Sequence, residues 1–198
     1  VLAVPDSPTE IPLIEMAQRL NISIARGPEE DVLERFLIAA DQVKAQNIVR
    51  ICGDNPLIDR QLIRSLIHTH LKENTDYTIT SDSIPLGTGT EVVKVKALKN
   101  IAETTTEPKY REHVTTWFHD NPTLVSQSHV PAPAYLMNKS HRLTVDTRND
   151  LTLMEKIFNE FYSLASPLLD LEKVIQFLDA RPDVSQINAD TPQKNWRS

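Results

Sequence analysis

Apolar positions recur along the first eighty residues with two alternating periods. Short apolar runs at 1–4, 22–25, 47–52 and 76–80 read as strands. Between them lie segments with helical spacing. Residues 10–20 place Leu13, Ile14, Ala17 and Leu20 on one face, with Pro12 tolerated in the first turn. Residues 29–44 carry Val32, Leu33, Phe36, Leu37, Ala40 and Val43 as an amphipathic stripe. Residues 59–71 turn Leu62, Ile63, Leu66 and Ile67 inward, with Asp59 as N-cap. Strands alternating with helices at this spacing predict βαβ units, a parallel sheet and helices on both of its faces.

Beyond residue 80 the pattern changes. Residues 81–90 read as a loop that holds Gly87 and Gly89, half of the chain's four glycines. A strand is expected at 91–95, helices at 97–104 and 109–120, and strands at 124–130 and 142–145 around a connection with Pro131 and Pro133. The spacing predicts a strong helix over 149–164 and a short one over 170–180. Residues 1–192 are expected to form one α/β domain and 193–198 a polar tail. No repeat, low-complexity stretch or linker interrupts them.

Composition narrows the chemistry. The 198 residues carry 21 Lys plus Arg against 27 Asp plus Glu, a formal charge of −6. A general nucleic-acid or anionic-membrane binder needs a basic face, so neither partner is expected. Neither of the glycine-rich phosphate motifs, G-x-G-x-x-G and G-x-x-x-x-G-K-[ST], occurs. A single cysteine, Cys52, excludes an internal disulfide and a cysteine-based zinc site, and fits a reducing cytoplasm. No apolar run approaches the ~20 residues that span a bilayer.

Four constellations carry candidate chemistry. In Val49-Arg50-Ile51-Cys52-Gly53-Asp54-Asn55-Pro56-Leu57-Ile58-Asp59 a strand ends at a carboxylate before a helix opens. Ligands of open α/β sheets sit beyond such strand ends, and Asp54 there can hold a hard divalent cation on phosphate oxygens. Gly53 lets the backbone approach a ligand. Equally, Asp54 can cap a turn. In Arg142-Leu143-Thr144-Val145-Asp146-Thr147-Arg148-Asn149-Asp150-Leu151 a second segment ends at Asp146, while Thr147 and Asp150 fit an N-cap and N3 pair. Asp54 and Asp146 on neighbouring strand ends would form a site for Mg²⁺ carrying a nucleotide phosphate. The segment from Arg26 to Arg35 breaks at Gly27 and opens a helix whose N–H groups can meet acceptors; its Glu29 and Glu30 can also simply complement the helix dipole. In Lys109-Tyr110-Arg111-Glu112-His113-Val114-Thr115, adjacent Arg, Glu and His suit either an anionic substrate or a solvated face. The other histidines show no metal spacing, and no G-x-S-x-G elbow occurs.

These segments together resemble the cytidylyltransferases that activate acidic sugars, a group containing the CMP-Kdo and CMP-sialic acid synthetases, and above all the spore-coat polysaccharide branch. Residues 26–33 resemble R-G-s-E-x-D-V-L, and residues 49–59 resemble V-R-I-T-G-D-x-P-L-I-D. Gly89-Thr90-Glu91-Val92-Val93 is similar to G-x-x-E-V-F, and Arg111-Glu112-His113-Val114-Thr115 to R-E-H-V-T. Residues 142–151 resemble R-L-T-V-D-T-x-x-D-L. The likeness spans about residues 1–162, and five segments in order are far more specific than any one.

The resemblance implies a three-layer α/β sandwich with a mostly parallel mixed sheet, similar to the nucleotide-diphosphosugar transferases and Rossmann-like. It implies transfer of CMP from CTP to a sugar acid or related acceptor with release of pyrophosphate, using Mg²⁺. By position, Asp54 and Asp146 would be the catalytic metal carboxylates. Arg26, Gly27, Asp31, Arg35 and Gly53 would lie near the nucleotide, and Glu91, Glu112 and His113 would face the acceptor. A homodimer is implied, formed through residues 124–137, which are apolar and Pro-rich. Thr144 stands where some relatives carry a second Asp, so a second metal is not expected to be held at that position. The family's usual first strand, with its loop similar to A-R-x-x-S-x-R-x-P-x-K, is not among the 198 residues. The sheet is therefore expected to lack that strand, and these residues alone are expected to bind CTP poorly. Two other readings stand beside this one: a glycosyltransferase using a nucleotide sugar, although no D-x-D ends a strand here, and a non-catalytic binding or dimerisation module.

Overall fold

In the computed structural model, residues 1–192 are described. Six strands are present: β1 (Leu2–Pro5), β2 (Ile24–Gly27), β3 (Asn47–Arg50), β4 (Tyr77–Thr80), β5 (Glu91–Lys94) and β6 (Gln127–Val130). The helices are α1 (Ile11–Arg19), α2 (Val32–Gln42), α3 (Arg60–Glu73), α4 (Val95–Thr104), α5 (Pro108–Glu112), α6 (Thr116–Asp120), α7 (Arg148–Phe161), α8 (Leu171–Ala180) and α9 (Pro182–Ser185). The polar tail expected over 193–198 lies outside the described residues.

The α/β architecture follows the alternation of periods. β1 and β2 form a parallel ladder, and β3-β5-β4-β6 a second sheet. In the second sheet β5 runs against β3 and β4, while β4 and β6 are parallel. The two ladders share no hydrogen bond. Helix α2 joins them by packing on β1 and β2 and on α4. Within β5 the two-residue period divides the layers. Val92 faces a cluster with Leu62 and Leu66 of α3, and Val93 faces one with Leu33 and Leu37 of α2 and Leu98 and Ile101 of α4. A third cluster unites Leu153, Met154 and Ile157 of α7 with Val174, Ile175 and Leu178 of α8, over Leu136 and Leu143.

Side-chain caps set the starts of α2, α3 and α7. Asp31 accepts from the Glu34 N–H at 2.9 Å, so α2 begins at Val32, and Glu29 and Glu30 lie outside it. Asp59 caps α3 by accepting from the Leu62 N–H at 2.6 Å. At the other end Asn74 adopts the left-handed conformation with φ 53°. Inside α3, His70 bridges Thr78 Oγ1 at 2.9 Å and Asn47 Oδ1 at 3.0 Å. Burial, with help from Lys94, holds its pKa below the ordinary value, which favours the neutral ring for this bridge.

Two expected elements differ. The helix expected over 109–120 is broken into α5 and α6 at His113–Thr115. Val114, Thr115 and Thr116, a β-branched run with poor helix propensity, are buried there instead. Residues 142–145 are not a ladder strand. Arg142 makes a single bridge to Leu86, and its segment bonds to loops: the Leu143 N–H to Leu86 O at 2.7 Å and the Val145 N–H to Asp54 O at 2.9 Å. A strand pattern whose partner is an irregular loop cannot extend a ladder. The pattern also missed α9 and the turn after it, which bury Val184 and Asn188; Pro182 at the first helical position is the signal that marks them.

The capping box of Thr147 and Asp150 opens α7. Asp150 is fully buried and takes more than the cap. It accepts from Arg142 Nε at 2.8 Å, Asn188 Nδ2 at 2.7 Å, the Asp146 N–H at 3.1 Å and the Thr147 N–H at 2.9 Å. Burial opposes its charge, but these donors outweigh it, Arg142 first, and hold the carboxyl well below the usual carboxylate range. A depressed folded-state pKa gives stability that is present above the unfolded value of about 3.9 and lost as pH falls toward the folded one. Asp150→Asn is therefore expected to cost about 2–4 kcal/mol at pH 7 in urea unfolding, and the gap to wild type should narrow below about pH 4.

Candidate functional site

A cavity of about 860 Å³ opens at the carboxyl ends of β3 and β4, roofed by loop 81–90 and walled by the α5–α6 connection. Asp54 and Asp146 line one part of it together with Asn55, Gly87 and Thr144. Arg50, Glu91, His113, Thr115, Thr116 and His119 line another.

The first group is assembled by backbone. Besides the Val145 bond, Thr144 Oγ1 reaches Asp54 O at 3.4 Å, so the loop after β3 is spliced to the segment that carries Asp146. Asp146 accepts from Arg142 Nη2 at 2.5 Å and its N–H is fixed on Asp150. The roof is tied to the same segment at Gly87, whose φ is 91°. A Cβ there would meet the Leu143 carbonyl carbon and Thr144 N at 2.5 Å.

The second group is a fixed ionic cluster. Arg50 Nη1 donates to Glu91 Oε2 at 3.0 Å, and the hydroxyl of fully buried Tyr77 donates to Glu91 Oε1 at 2.6 Å. Tyr77 also meets His119 Nε2 at 3.2 Å and stacks on Phe118 with ring centroids 4.7 Å apart. Burial first, then the Glu91 charge, pushes the Tyr77 phenol well up, so it stays a donor. Burial works against the Arg50 charge, yet Glu91 and, less strongly, Cys52 outweigh it and raise its pKa. Burial pushes the Cys52 thiol up, partly offset by Arg50.

Of the residues singled out in sequence, Asp54, Asp146, Glu91 and His113 thus share one cavity. Gly53 adjoins Asp54, and an added Cβ there would meet nothing within 4 Å. The remaining residues stand elsewhere. Arg26 pairs with Asp6 at 2.6 Å. Asp31, besides capping α2, receives Arg111 Nε at 2.8 Å and Nη2 at 2.5 Å. Arg35 donates to the carbonyls of Pro28 and Glu29, both at 2.5 Å. Gly27 lets β2 approach α2, since a Cβ would meet Arg35 Cγ at 2.9 Å. Glu112 is exposed and does not line the cavity. Sequence reasoning gave no role to Tyr77, Asp82 or His119. His119 lies six residues beyond His113, off the face that His113 would share in the continuous helix expected there, and the break between α5 and α6 brings both to the cavity.

Among the described residues no three His, Cys, Asp or Glu side chains gather closely enough to hold a metal ion by themselves. Asp54 and Asp146 do supply hard oxygen donors from two spliced loops. That donor set fits Mg²⁺, which binds through one or two carboxylates and completes its octahedron with water and substrate phosphate oxygens.

An α/β sheet with a cavity of this size beyond the carboxyl ends of β3 and β4, lined by Asp54 and Asp146, has the architecture in which open sheets receive their ligands. Residues 6–180 match the cytidylyltransferase family, so the chain belongs to it and is a nucleotidyltransferase. It is 36% identical over 185 residues to an uncharacterised protein of Methanocaldococcus jannaschii, covering 93% of this chain and 74% of that one. It is 31% identical over 186 residues to the spore coat polysaccharide biosynthesis protein SpsF of Bacillus subtilis, with 93% and 76% covered. In structure it is similar to a cytidylyltransferase from Leptospira borgpetersenii, with TM-score 0.85, 20% identity, and 97% and 79% of the two chains covered. A CMP:2-keto-3-deoxy-manno-octonic acid synthetase complexed with CTP shares the fold more loosely, with TM-score 0.53, 13% identity and 79% of each chain covered.

The roof–floor contact at Gly87 makes a direct expectation. Gly87→Ala places a β-carbon against backbone in a left-handed conformation, and should cost about 2–4 kcal/mol by thermal or urea unfolding.

Proposed function

We propose that the protein transfers CMP from CTP to an oxygen of a sugar acid or a related acidic acceptor, releasing pyrophosphate, in surface polysaccharide or glycoconjugate synthesis. The observation that carries this reading is the convergence of Asp54 and Asp146 with Glu91 and His113 in one cavity. The acceptor oxygen attacks the α-phosphorus in line, the bond to the bridging oxygen breaks, and pyrophosphate leaves. Asp54 and Asp146 would hold Mg²⁺, which supplies charge neutralisation on the phosphate oxygens. Asp150 and Arg142 keep the Asp146 carboxylate at the cavity wall. Glu91 and His113 face the acceptor. The residues from Arg26 to Arg35, on the β2–α2 side, lie toward the nucleoside in this reading.

Pyrophosphate release from CTP, compared with ATP, GTP and UTP, tests the assignment with 2-keto-3-deoxy-manno-octonic acid and other sugar acids as acceptors. Release specific to CTP and dependent on both acceptor and Mg²⁺ is expected of a chain that carries the family's first strand and phosphate loop as well as these residues. Asp54→Asn and Asp146→Asn should each lower turnover on the order of 10³-fold, and a chelator should abolish it. Near-normal turnover by Asp54→Asn would remove that residue from the metal site.

The protein is further proposed to work as a homodimer in a reducing cytoplasm. Within the segment 124–137, Val130, Ala132 and Leu136 serve the protomer's own core, and the large hydrophobic side chains left exposed are Leu124, 68% exposed, and Met137, 37% exposed. Sedimentation at tens of micromolar should give the dimer mass, and Leu124→Glu the monomer. A monomer for the wild type would exclude this pairing.

A further inference from the structure

The cavity is electrically divided. Its carboxylates are Asp54, Asp82, Asp146 and Glu91, and the one lysine or arginine among its lining residues is Arg50. Asp82 is already used, since its Oδ2 accepts the Ala132 N–H at 2.7 Å. Asp146 is paired with Arg142, which does not line the cavity, and a bound anionic group can meet a lining Lys or Arg only at Arg50.

Arg50 is built to receive one. Its side chain is 26% exposed, and that of Glu91 is 13% exposed. Among the described residues its side chain makes one hydrogen bond, from Nη1 to Glu91. Among the described residues no buried side-chain nitrogen or oxygen lacks a partner, so the remaining guanidinium donors open to the cavity rather than into the core. Glu91 cannot swing away to quench them, because Tyr77 holds its other oxygen at 2.6 Å and Tyr77 is itself locked against Phe118. The result is a planar fork held at fixed orientation with donors to spare, the arrangement that binds carboxylates through paired hydrogen bonds. Because Glu91 balances the charge, selection rests on the directed donors rather than on a diffuse field.

We propose that Arg50 is the specificity-determining residue for the acceptor, anchoring its carboxylate while Glu91, Tyr77 and His119 hold the guanidinium in place. This rests on the reading of the cavity as a cytidylyltransferase site. A carboxylate on Arg50 leaves the acceptor's hydroxyl end toward Asp54 and Asp146, where the phosphoryl group arrives. A neutral sugar of the same shape would leave the fork unpaired.

Cys52 provides a test that needs neither the acceptor's identity nor turnover. It is the chain's only cysteine, it lines the same cavity, and its thiol senses the Arg50 charge. Iodoacetate carries a carboxylate; iodoacetamide is its neutral analogue. Both alkylate the thiolate with loss of iodide. Changes in thiol acidity or exposure act on both reagents and cancel in the ratio of their rate constants. That ratio is expected to fall about tenfold or more in Arg50→Gln, as a charge-assisted hydrogen bond is lost, and less in Arg50→Lys. Arg50→Gln leaves Glu91 without its cation, so the double variant Arg50→Gln/Glu91→Gln, which removes both charges, must show the same fall with wild-type circular dichroism. An unchanged ratio in the double variant overturns the proposal. Pyrophosphate release by the wild type is measured alongside. Its absence with every sugar acid would overturn the functional reading, whereas the alkylation ratio judges Arg50 separately.

Discussion

The site depends on one buried carboxylate. Asp150 is enclosed completely, and an ion in that position is tolerated only if its lone pairs are filled. They are filled from three directions: by Arg142 from the segment below the roof, by Asn188 from the turn after α9, and by the backbone of Asp146 and Thr147. The same contacts that solvate Asp150 fix the N–H of Asp146 and hold Arg142, which in turn holds the Asp146 carboxylate. The start of α7, the C-terminal turns and one wall of the cavity are thus a single electrostatic unit. Asn188 also donates to Arg142 O at 3.0 Å, which extends the unit to the segment bonded to Leu86.

On the other wall the logic is repeated with different groups. Glu91 at the start of β5 is shielded, and it is satisfied by Arg50 of β3 and Tyr77 of β4. Antiparallel pairing places Arg50 directly across from Glu91, so the ion pair is a cross-strand pair as well as a cavity feature. Tyr77 adds a hydroxyl from the neighbouring strand. Sheet register therefore decides where the cavity's permanent cation points. A shift of one residue would turn Arg50 and Glu91 to opposite faces.

The segments that mark the family combine both duties. Residues 142–151 carry Asp146 and also the capping box that starts α7. Residues 26–33 carry the α2 cap, whose Asp31 receives the Arg111 fork across the fold. In both segments polar groups satisfy a structural bond and position a neighbour at the same time. Asp31 and Arg35, unlike Asp54, commit their side chains to partners within the protein.

Periodicity alone determined the alternation of strands and helices through β4, the faces of α2, α3 and α7, and the caps at Asp59 and Thr147. These features depend on neighbours within a few residues, and local spacing encodes them. The motif strings marked Asp54, Asp146, Glu91 and His113, because each lies in a segment whose residue types and order resemble the family's. Tertiary structure decided the rest. It split the helix at His113–Thr115, since burial of Val114, Thr115 and Thr116 outweighed helix continuity. It turned 142–145 from a ladder strand into a loop splice, since its partners, Leu86 and Asp54, lie in irregular segments. It set β5 antiparallel between β3 and β4. And it brought Asn188, Tyr77 and His119 to groups 38, 14 and 42 residues away along the chain, because a buried charge takes its partners from whatever the fold places beside it, and no local pattern records that choice.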